Sequence, residues 1–213
     1  MGGSRSKQYL EIASKPIIAH TLQVFQEAPF VDQIILVSPA AEIPFSHDLI
    51  ASYSIDKVFR VVEGGAERQD SIRKGLEAVD SSTDIVIVHD GVRPFIKSEM
   101  LEESVNIALK YGAALVAVPV KDTVKKTEEG SVIKTIPRSN LWLAQTPQTF
   151  TYDLIRDAYK NAFLKGIIGT DDASLVEALG KEVRIVMGSY DNIKITTPED
   201  LLFAEAIIKE QML

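Results

Sequence analysis

Two stretches of this 213-residue chain combine residue types that can bind and polarise phosphate esters. The first is His89-Asp90-Gly91-Val92-Arg93-Pro94, which follows the apolar run Ile85-Val86-Ile87-Val88. An aspartate released from the end of a buried strand can hold Mg²⁺, a hard cation that prefers carboxylate, water and phosphate oxygens. An arginine three residues later can grip a phosphate through two parallel N–H donors. The same spacing also suits a plain strand-end turn closed by a local Asp–Arg pair. The second stretch is Glu63-Gly64-Gly65-Ala66-Glu67-Arg68-Gln69-Asp70-Ser71. Its glycines let a ligand approach the backbone, and a helix starting just after would present free N–H groups. On pattern alone, a tight turn with a capped helix fits it somewhat better.

Cations elsewhere could join such a site if the fold gathers them. Lys7, Lys121, Lys125, Arg138 and Lys194 together would make an anion site, although singly each reads as a solvated side chain. Asp171-Asp172 looks like a metal pair, but after Thr170 it reads better as a helix cap. The chain has no cysteine and only three scattered histidines, so thiolate metal sites, disulfides and a His-rich centre are excluded. Neither a Ser/His/Asp triad nor a Walker-type glycine loop is visible. With 23 basic and 30 acidic residues the net charge is -7, which gives no basic face for a nucleic-acid polymer. A small anionic substrate remains compatible, because a few local cations decide that. No apolar run reaches the length of a membrane span or a signal core, so a cytoplasmic protein is expected.

The elements that must position these residues follow from periodicity. Apolar residues make up 46% of the chain, enough for a well-filled core. The apolar run Ile34–Val37 reads as a strand buried on both faces, and Val58–Val62, the very apolar Ile85–Val88, Ala113–Val118 and Glu182–Met187 read as further strands. Helical stripes cover Lys15–Ala28, Glu67–Val79, Ser98–Tyr111, Thr151–Phe163, Asp172–Leu179 and Pro198–Glu210, with Ser14 and Thr197 as candidate caps. The alternation predicts an α/β fold: a Rossmann-like, mostly parallel sheet with helices on both faces. Ligands bind such sheets at the carboxyl ends of strands, which points at residues 63–68, 89–94 and 119–123. Between Val120 and Pro137 the pattern breaks into two β-rich runs around Glu128-Glu129-Gly130, a β-hairpin too slight to stand alone. The economical reading is a single domain, 1–213, with a projecting arm at 120–140.

Taken in order, these segments resemble the 2-C-methyl-D-erythritol 4-phosphate cytidylyltransferase family. The resemblance is carried by Lys7-Gln8-Tyr9, Gly64-Gly65 through Arg68 to Ser71, and His89-Asp90-Gly91-Val92-Arg93-Pro94. It continues through residues 119–125, Arg138 to Trp142, Gln145-Thr146-Pro147-Gln148, residues 170–174 and residues 191–196. The resemblance implies a nucleotidyltransferase-like fold and a homodimer joined through the arm. It also implies Mg²⁺, CTP and 2-C-methyl-D-erythritol 4-phosphate as cofactor and substrates, with a CDP-linked alcohol and pyrophosphate as products. By position it gives catalytic roles to Lys7, Arg138 and Lys194, with Arg138 reaching the partner's site. Gly64, Gly65, Arg68, Ser71 and Asp90 would serve the nucleotide, Asp90 also holding the metal. Arg93, Thr123, Thr146 and Asp191 would line the sugar-phosphate pocket.

The family opens with a buried strand and a glycine-rich loop around the CTP phosphates, and Met1 corresponds to the end of that loop. A chain lacking both is therefore expected, with a slot opened in its sheet. Two alternatives accompany the resemblance: a ribitol-5-phosphate cytidylyltransferase, and an inactive homologue acting only as a fold or dimer partner. Lys121-Asp122-Thr123-Val124-Lys125 and Leu141-Trp142 favour the methylerythritol enzyme over the ribitol one.

Overall fold

Each apolar run anticipated above becomes a strand in the computed structural model, which describes residues 6–211. Residues 1–5, where the expected chain start falls, lie outside the described part. A single 3₁₀ turn, Lys7–Tyr9, leads into a tight antiparallel pair, β1 (Glu11–Ile12) and β2 (Lys15–Pro16). Ala13 and Ser14 make that turn at positive φ, so Ser14 does not cap the next helix. Helix α1 (Ile17–Glu27) instead starts from Pro16, with no side-chain cap. Then come β3 (Ile34–Ser38), α2 (Ile43–Ser52), β4 (Val58–Glu63), α3 (Arg68–Glu77), β5 (Ile85–Val88) and α4 (Ser98–Tyr111). The chain continues with β6 (Ala113–Pro119), β7 (Val124–Glu128), β8 (Ser131–Ile136), β9 (Trp142–Thr151), α5 (Tyr152–Lys165), α6 (Asp172–Glu177), β10 (Arg184–Met187) and α7 (Pro198–Gln211).

The strands form a four-stranded ladder, β10-β6-β9-β5, and a parallel pair, β3-β4. β10 runs parallel to β6, whereas β9 is antiparallel to both its neighbours. β9 is the long strand that sequence periodicity did not supply. Its ladder with β6 is interrupted around Gln145–Pro147, between the pairs Leu115–Gln148 and Ala117–Ala144. That bulge re-aims the side chains of Gln145 and Thr146, as bulges beside sites do.

Helices cover both faces, and strand alternation decides which residues meet them. Ala114 and Val116 pack with Phe25, Met100, Leu101 and Ala108 on one side. Ala113 and Phe150 pack with Ile155, Ala158, Tyr159, Leu175 and Val176 on the other. Helix α7 closes over the β1–β2 pair through Ala204, Ile12, Ile17 and Ile195, which sets the segment carrying Lys194.

Between β3 and β5 lies a cavity of about 1510 Å³ lined by both strands and by Ile18, Leu22, Ile72 and Leu76. The ladder of β3 goes to β4 and that of β5 to β9, so among the described residues no strand joins the two. Hydrogen-bonded neighbours would sit about 4.8 Å apart and leave no such space.

Among the described residues β7 and β8 pair only with each other, around Glu129 and Gly130, both at positive φ. A two-residue loop of this kind matches the strand twist, and Gly130 takes its conformation without a Cβ penalty. Val132 and Ile133 stand 62% and 51% exposed on this ribbon, an apolar surface that the chain itself does not cover.

Candidate functional site

The cavity just described opens onto the end of β5, where Asp90 leaves the sheet. Three cations converge on its carboxylate. Lys194 Nζ lies 2.9 Å from Oδ2, Arg93 Nε 3.5 Å from Oδ2, and Arg68 Nε 3.5 Å from Oδ1. Burial pushes the Asp90 carboxyl up, but Lys194 first, then Arg68 and Arg93, hold it below the usual carboxylate range. The aspartate is therefore ionised at any physiological pH.

Each cation is positioned by a different element. Arg93 sits in the turn after β5, and its Nη1 donates to the carbonyl of Asn192 at 2.7 Å. Asn192 is buried and donates to the carbonyl of Thr146 at 2.9 Å and to Gln145 Oε1 at 3.3 Å. The Thr146 hydroxyl in turn accepts from the Asp90 backbone N–H at 3.1 Å. The β9 bulge thus ties the Asp90 turn to the loop carrying Lys194. Ile195 N–H closes the arrangement on Val92 O at 2.9 Å. Arg68 comes from the first turn of α3, and its Nη2 donates to the wholly buried Asp172 carboxylate at 2.7 Å. Lys7, exposed on the N-terminal 3₁₀ turn, lines the same cavity as Arg68, Asp90 and Lys194.

The glycine turn forms a second hollow, about 460 Å³, bounded by Ser38, Glu63, Gly64, Gly65, Ser71 and Lys74. Gly64 N–H donates to Ser38 O at 2.9 Å, and Gly65 N–H to Ser71 Oγ at 3.0 Å. A Cβ on Gly65 would meet Asp70 Cβ at 2.2 Å, so only glycine fits there. The helix that follows is capped as well, with Glu67 N–H donating to the Asp70 carboxylate at 3.4 Å. The tight turn and capped helix of the second reading are both present, and the turn also leaves a concave backbone surface.

Other expected residues do not join. Thr123 and Arg138 are exposed at the root of the hairpin, and neither lines either cavity. Asp191 is exposed and exchanges hydrogen bonds with Ser189. Lys121 lies over the Tyr190 ring at 3.2 Å, and Lys125 donates to Thr135 Oγ1 at 2.7 Å across the hairpin. Within one chain the anion cluster consists of Lys7, Arg68, Arg93 and Lys194. Asp171 caps α6 by accepting from Ser174 N–H at 2.9 Å, as its position after Thr170 suggests. His89 does not act as a base here: burial pulls its imidazole down to about 4, and Nε2 is bonded to Arg93 O. Asn192 and Gln145 went unassigned in the sequence, where only their place inside longer motifs marked them, and Asp172, read there as part of a helix cap, instead accepts from Arg68 and Tyr159.

Three cations against Asp90 and Asp172, with Lys7 lining the same cavity, make a pocket suited to a polyanion. Among the described residues no group of three or more His, Asp or Glu side chains converges on a metal position. Asp90 nevertheless fits one end of a Mg²⁺ site, since this ion is commonly held by one or two carboxylates plus substrate phosphates and water. Its Oδ1 is engaged only loosely, by Arg68.

Comparison with known proteins agrees with this chemistry. A family model described as 2-C-methyl-D-erythritol 4-phosphate cytidylyltransferase matches residues 1–210. A protein of that name from Geotalea uraniireducens (strain Rf4) is 55% identical over 212 residues, covering 98% of this chain and 91% of the relative. One from Geobacter metallireducens (strain ATCC 53774 / DSM 7210 / GS-15) is 50% identical over 216 residues, covering 100% and 93%. Among solved structures, 4-diphosphocytidyl-2C-methyl-D-erythritol synthase from Anaerococcus prevotii DSM 20548 superposes with a TM-score of 0.88 at 33% identity. That match covers 96% of this chain and 90% of the other. The cytidylyltransferase from Thermus thermophilus gives 0.82 at 35% identity, covering 95% and 94%.

Proposed function

Since this chain belongs to the 2-C-methyl-D-erythritol 4-phosphate cytidylyltransferase family, we propose that the Asp90 cluster is where it carries out cytidylyl transfer. The enzyme joins CTP to 2-C-methyl-D-erythritol 4-phosphate. A phosphate oxygen of the sugar attacks the α-phosphorus of CTP, a new P–O bond forms, and the bond to the β-phosphate oxygen breaks. The products are 4-diphosphocytidyl-2-C-methyl-D-erythritol and pyrophosphate. The observation that carries this reading is the convergence of Arg68, Arg93 and Lys194 on one ionised aspartate at a cavity mouth. Such transfer needs positioning and positive charge more than an acid–base pair. That matches a site whose histidine is neutral and whose cations are fixed.

The glycine turn receives the cytosine, with the backbone of Gly64 and Gly65 and the Ser71 hydroxyl supplying its hydrogen bonds. Lys7 and Arg68 face the phosphate chain. Arg93, Thr146 and Lys194 hold the sugar phosphate, and Lys194 remains close enough to share charge with the α-phosphate. Asp90 would hold Mg²⁺ together with phosphate oxygens, and the ion would offset charge on those oxygens. Thr123, Asp191 and Arg138 complete the acceptor pocket from the arm side. Arg138 acts in the other subunit's site, because the exposed hairpin is an edge suited to a second copy. The cytoplasm, where nucleoside triphosphates are available, is the compartment such a reaction requires.

The test is direct. The purified chain with CTP, Mg²⁺ and 2-C-methyl-D-erythritol 4-phosphate should release pyrophosphate and form the CDP-linked alcohol. Ribitol 5-phosphate should be a much poorer acceptor. Equal use of both sugar phosphates would overturn the substrate assignment, and no product from either would overturn the enzymatic reading.

A further inference from the structure

Asp172 has no part in the chemistry outlined above, yet it is an aspartate with no solvent exposure at all. A buried carboxylate is costly unless paired, and replacing such a pair with apolar groups is often neutral or stabilising. Its contacts are specific. Oδ2 accepts from Arg68 Nη2 at 2.7 Å, and Oδ1 accepts from the Tyr159 hydroxyl. Arg68 therefore bridges two carboxylates, Asp172 behind it and Asp90 in front. Its Nη1 takes no hydrogen-bond partner among the described residues, and the side chain is 37% exposed where it lines the large cavity.

The neighbouring residue repeats the attachment. Gln69 Nε2 donates to Ile167 O at 3.1 Å, and Gly169 N–H donates to Gln69 Oε1 at 3.0 Å. A Cβ on Gly169 would strike Leu175 and Ser174 side-chain atoms at 2.6 Å, so the loop before α6 is packed tightly. The first turn of α3, which follows directly on the glycine turn, is thus locked to the segment from Ile167 to Asp172.

We propose that Asp172 is a positioning residue for nucleotide binding, clamping the Arg68 guanidinium against Asp90 with its free donors turned toward the phosphate chain of CTP. A guanidinium suits this task because its planar fork can satisfy two carboxylates and still present N–H groups on a third side. Without the clamp, Arg68 would fold onto Asp90 or swing into solvent, and CTP would have to order it again on binding. This rests on the assignment of the cavity to the nucleotide.

The experiment measures CTP affinity by titration calorimetry with Mg²⁺ present, alongside thermal unfolding, for Asp172→Asn, Arg68→Gln, the double variant, Tyr159→Phe and Arg68→Lys. Asp172→Asn and Arg68→Gln should each weaken CTP binding about tenfold, the scale of one charge-assisted hydrogen bond. The double variant should bind no worse than Arg68→Gln, because Asp172 acts through Arg68. Tyr159→Phe removes the other bond to the same carboxylate and should lower the melting temperature while leaving CTP affinity within about twofold. Additive losses in the double variant, or affinities that fall in step with melting temperature, would overturn the clamp. Should Asp172→Asn not fold, Arg68→Lys carries the test: lysine keeps the charge but cannot bridge both carboxylates, and wild-type affinity there overturns the proposal. A wild-type chain that takes up no CTP would overturn the cavity assignment itself.

Discussion

Asp90→Asn tests the proposed site most severely, because the aspartate is the carboxylate on which Arg68, Arg93 and Lys194 converge. Its side chain is 14% exposed and that of Arg93 12%, so this pair lies mostly out of water. The pairs to Arg68 and Lys194 are more open, at 37% each on the cation side, so water and salt screen them more. Removing one member of a largely buried pair leaves an uncompensated charge and costs about 3 kcal/mol. For a chain of this length that corresponds to a fall in melting temperature of roughly 6–12 °C. The sign reverses when an anion is supplied. Three cations without their carboxylate should bind inorganic phosphate more tightly than the wild type, so phosphate should recover more stability in the variant. Turnover should fall by about 10² or more, the scale of losing one preorganised charge. The assays are thermal melts at low salt with and without phosphate, and pyrophosphate release. A variant with unchanged melting temperature and no added response to phosphate would refute the cluster's electrostatics, and full activity would refute its place in the reaction.

Other expectations follow from the same geometry. Gly65→Ala should lose about 1–3 kcal/mol of stability and weaken CTP binding, since the new Cβ meets Asp70 Cβ at 2.2 Å; melts and calorimetry check both. Asp200 accepts from Thr196 N–H and Thr197 N–H, which hold its carboxyl below the ordinary value. It therefore stabilises the start of α7 above the ordinary carboxylate range and ceases to do so as pH falls through the lowered value. Asp200→Asn should cost about 1 kcal/mol at neutral pH by urea unfolding, and no change would remove it from the cap. Arg138→Ala and Asp90→Ala should each be nearly inactive as homodimers. After random subunit exchange, activity should recover to about a quarter of the wild-type value, and none would deny Arg138 a role in the partner's site.

The strands flanking the site were legible as letters. Ile34–Val37, Ile85–Val88 and Ala113–Val118 are unbroken apolar runs, and Val58–Val62 is interrupted only by Arg60, so local reading finds these strands. β9 was hidden for the opposite reason. It holds Pro147 and the polar residues Gln145, Thr146, Gln148 and Thr149, a composition that argues against a central strand. These side chains are buried because partners far along the sequence satisfy them: Gln148 bonds Asp171 and the Ala173 N–H, and Thr149 bonds Ser104. α2, with Pro44 in its first turn, went unread as well.

The site divides in the same way. The sequence by itself determined that Asp90 would stand at the carboxyl end of a strand and that Gly64-Gly65 would make a close turn, and it left an anionic ligand compatible. Those are consequences of strand ends, backbone freedom and residue type, which are local. Only the tertiary structure decided that Arg68, Arg93 and Lys194 meet on one carboxylate while Lys121 and Lys125 do not. Only it decided that Asp172 lies behind Arg68, 104 residues away in the chain. Charge carries no address in a sequence: a lysine in the cluster and a lysine in solvent are written alike. The difference is set by which helix and which loop the packed sheet brings to the end of β5.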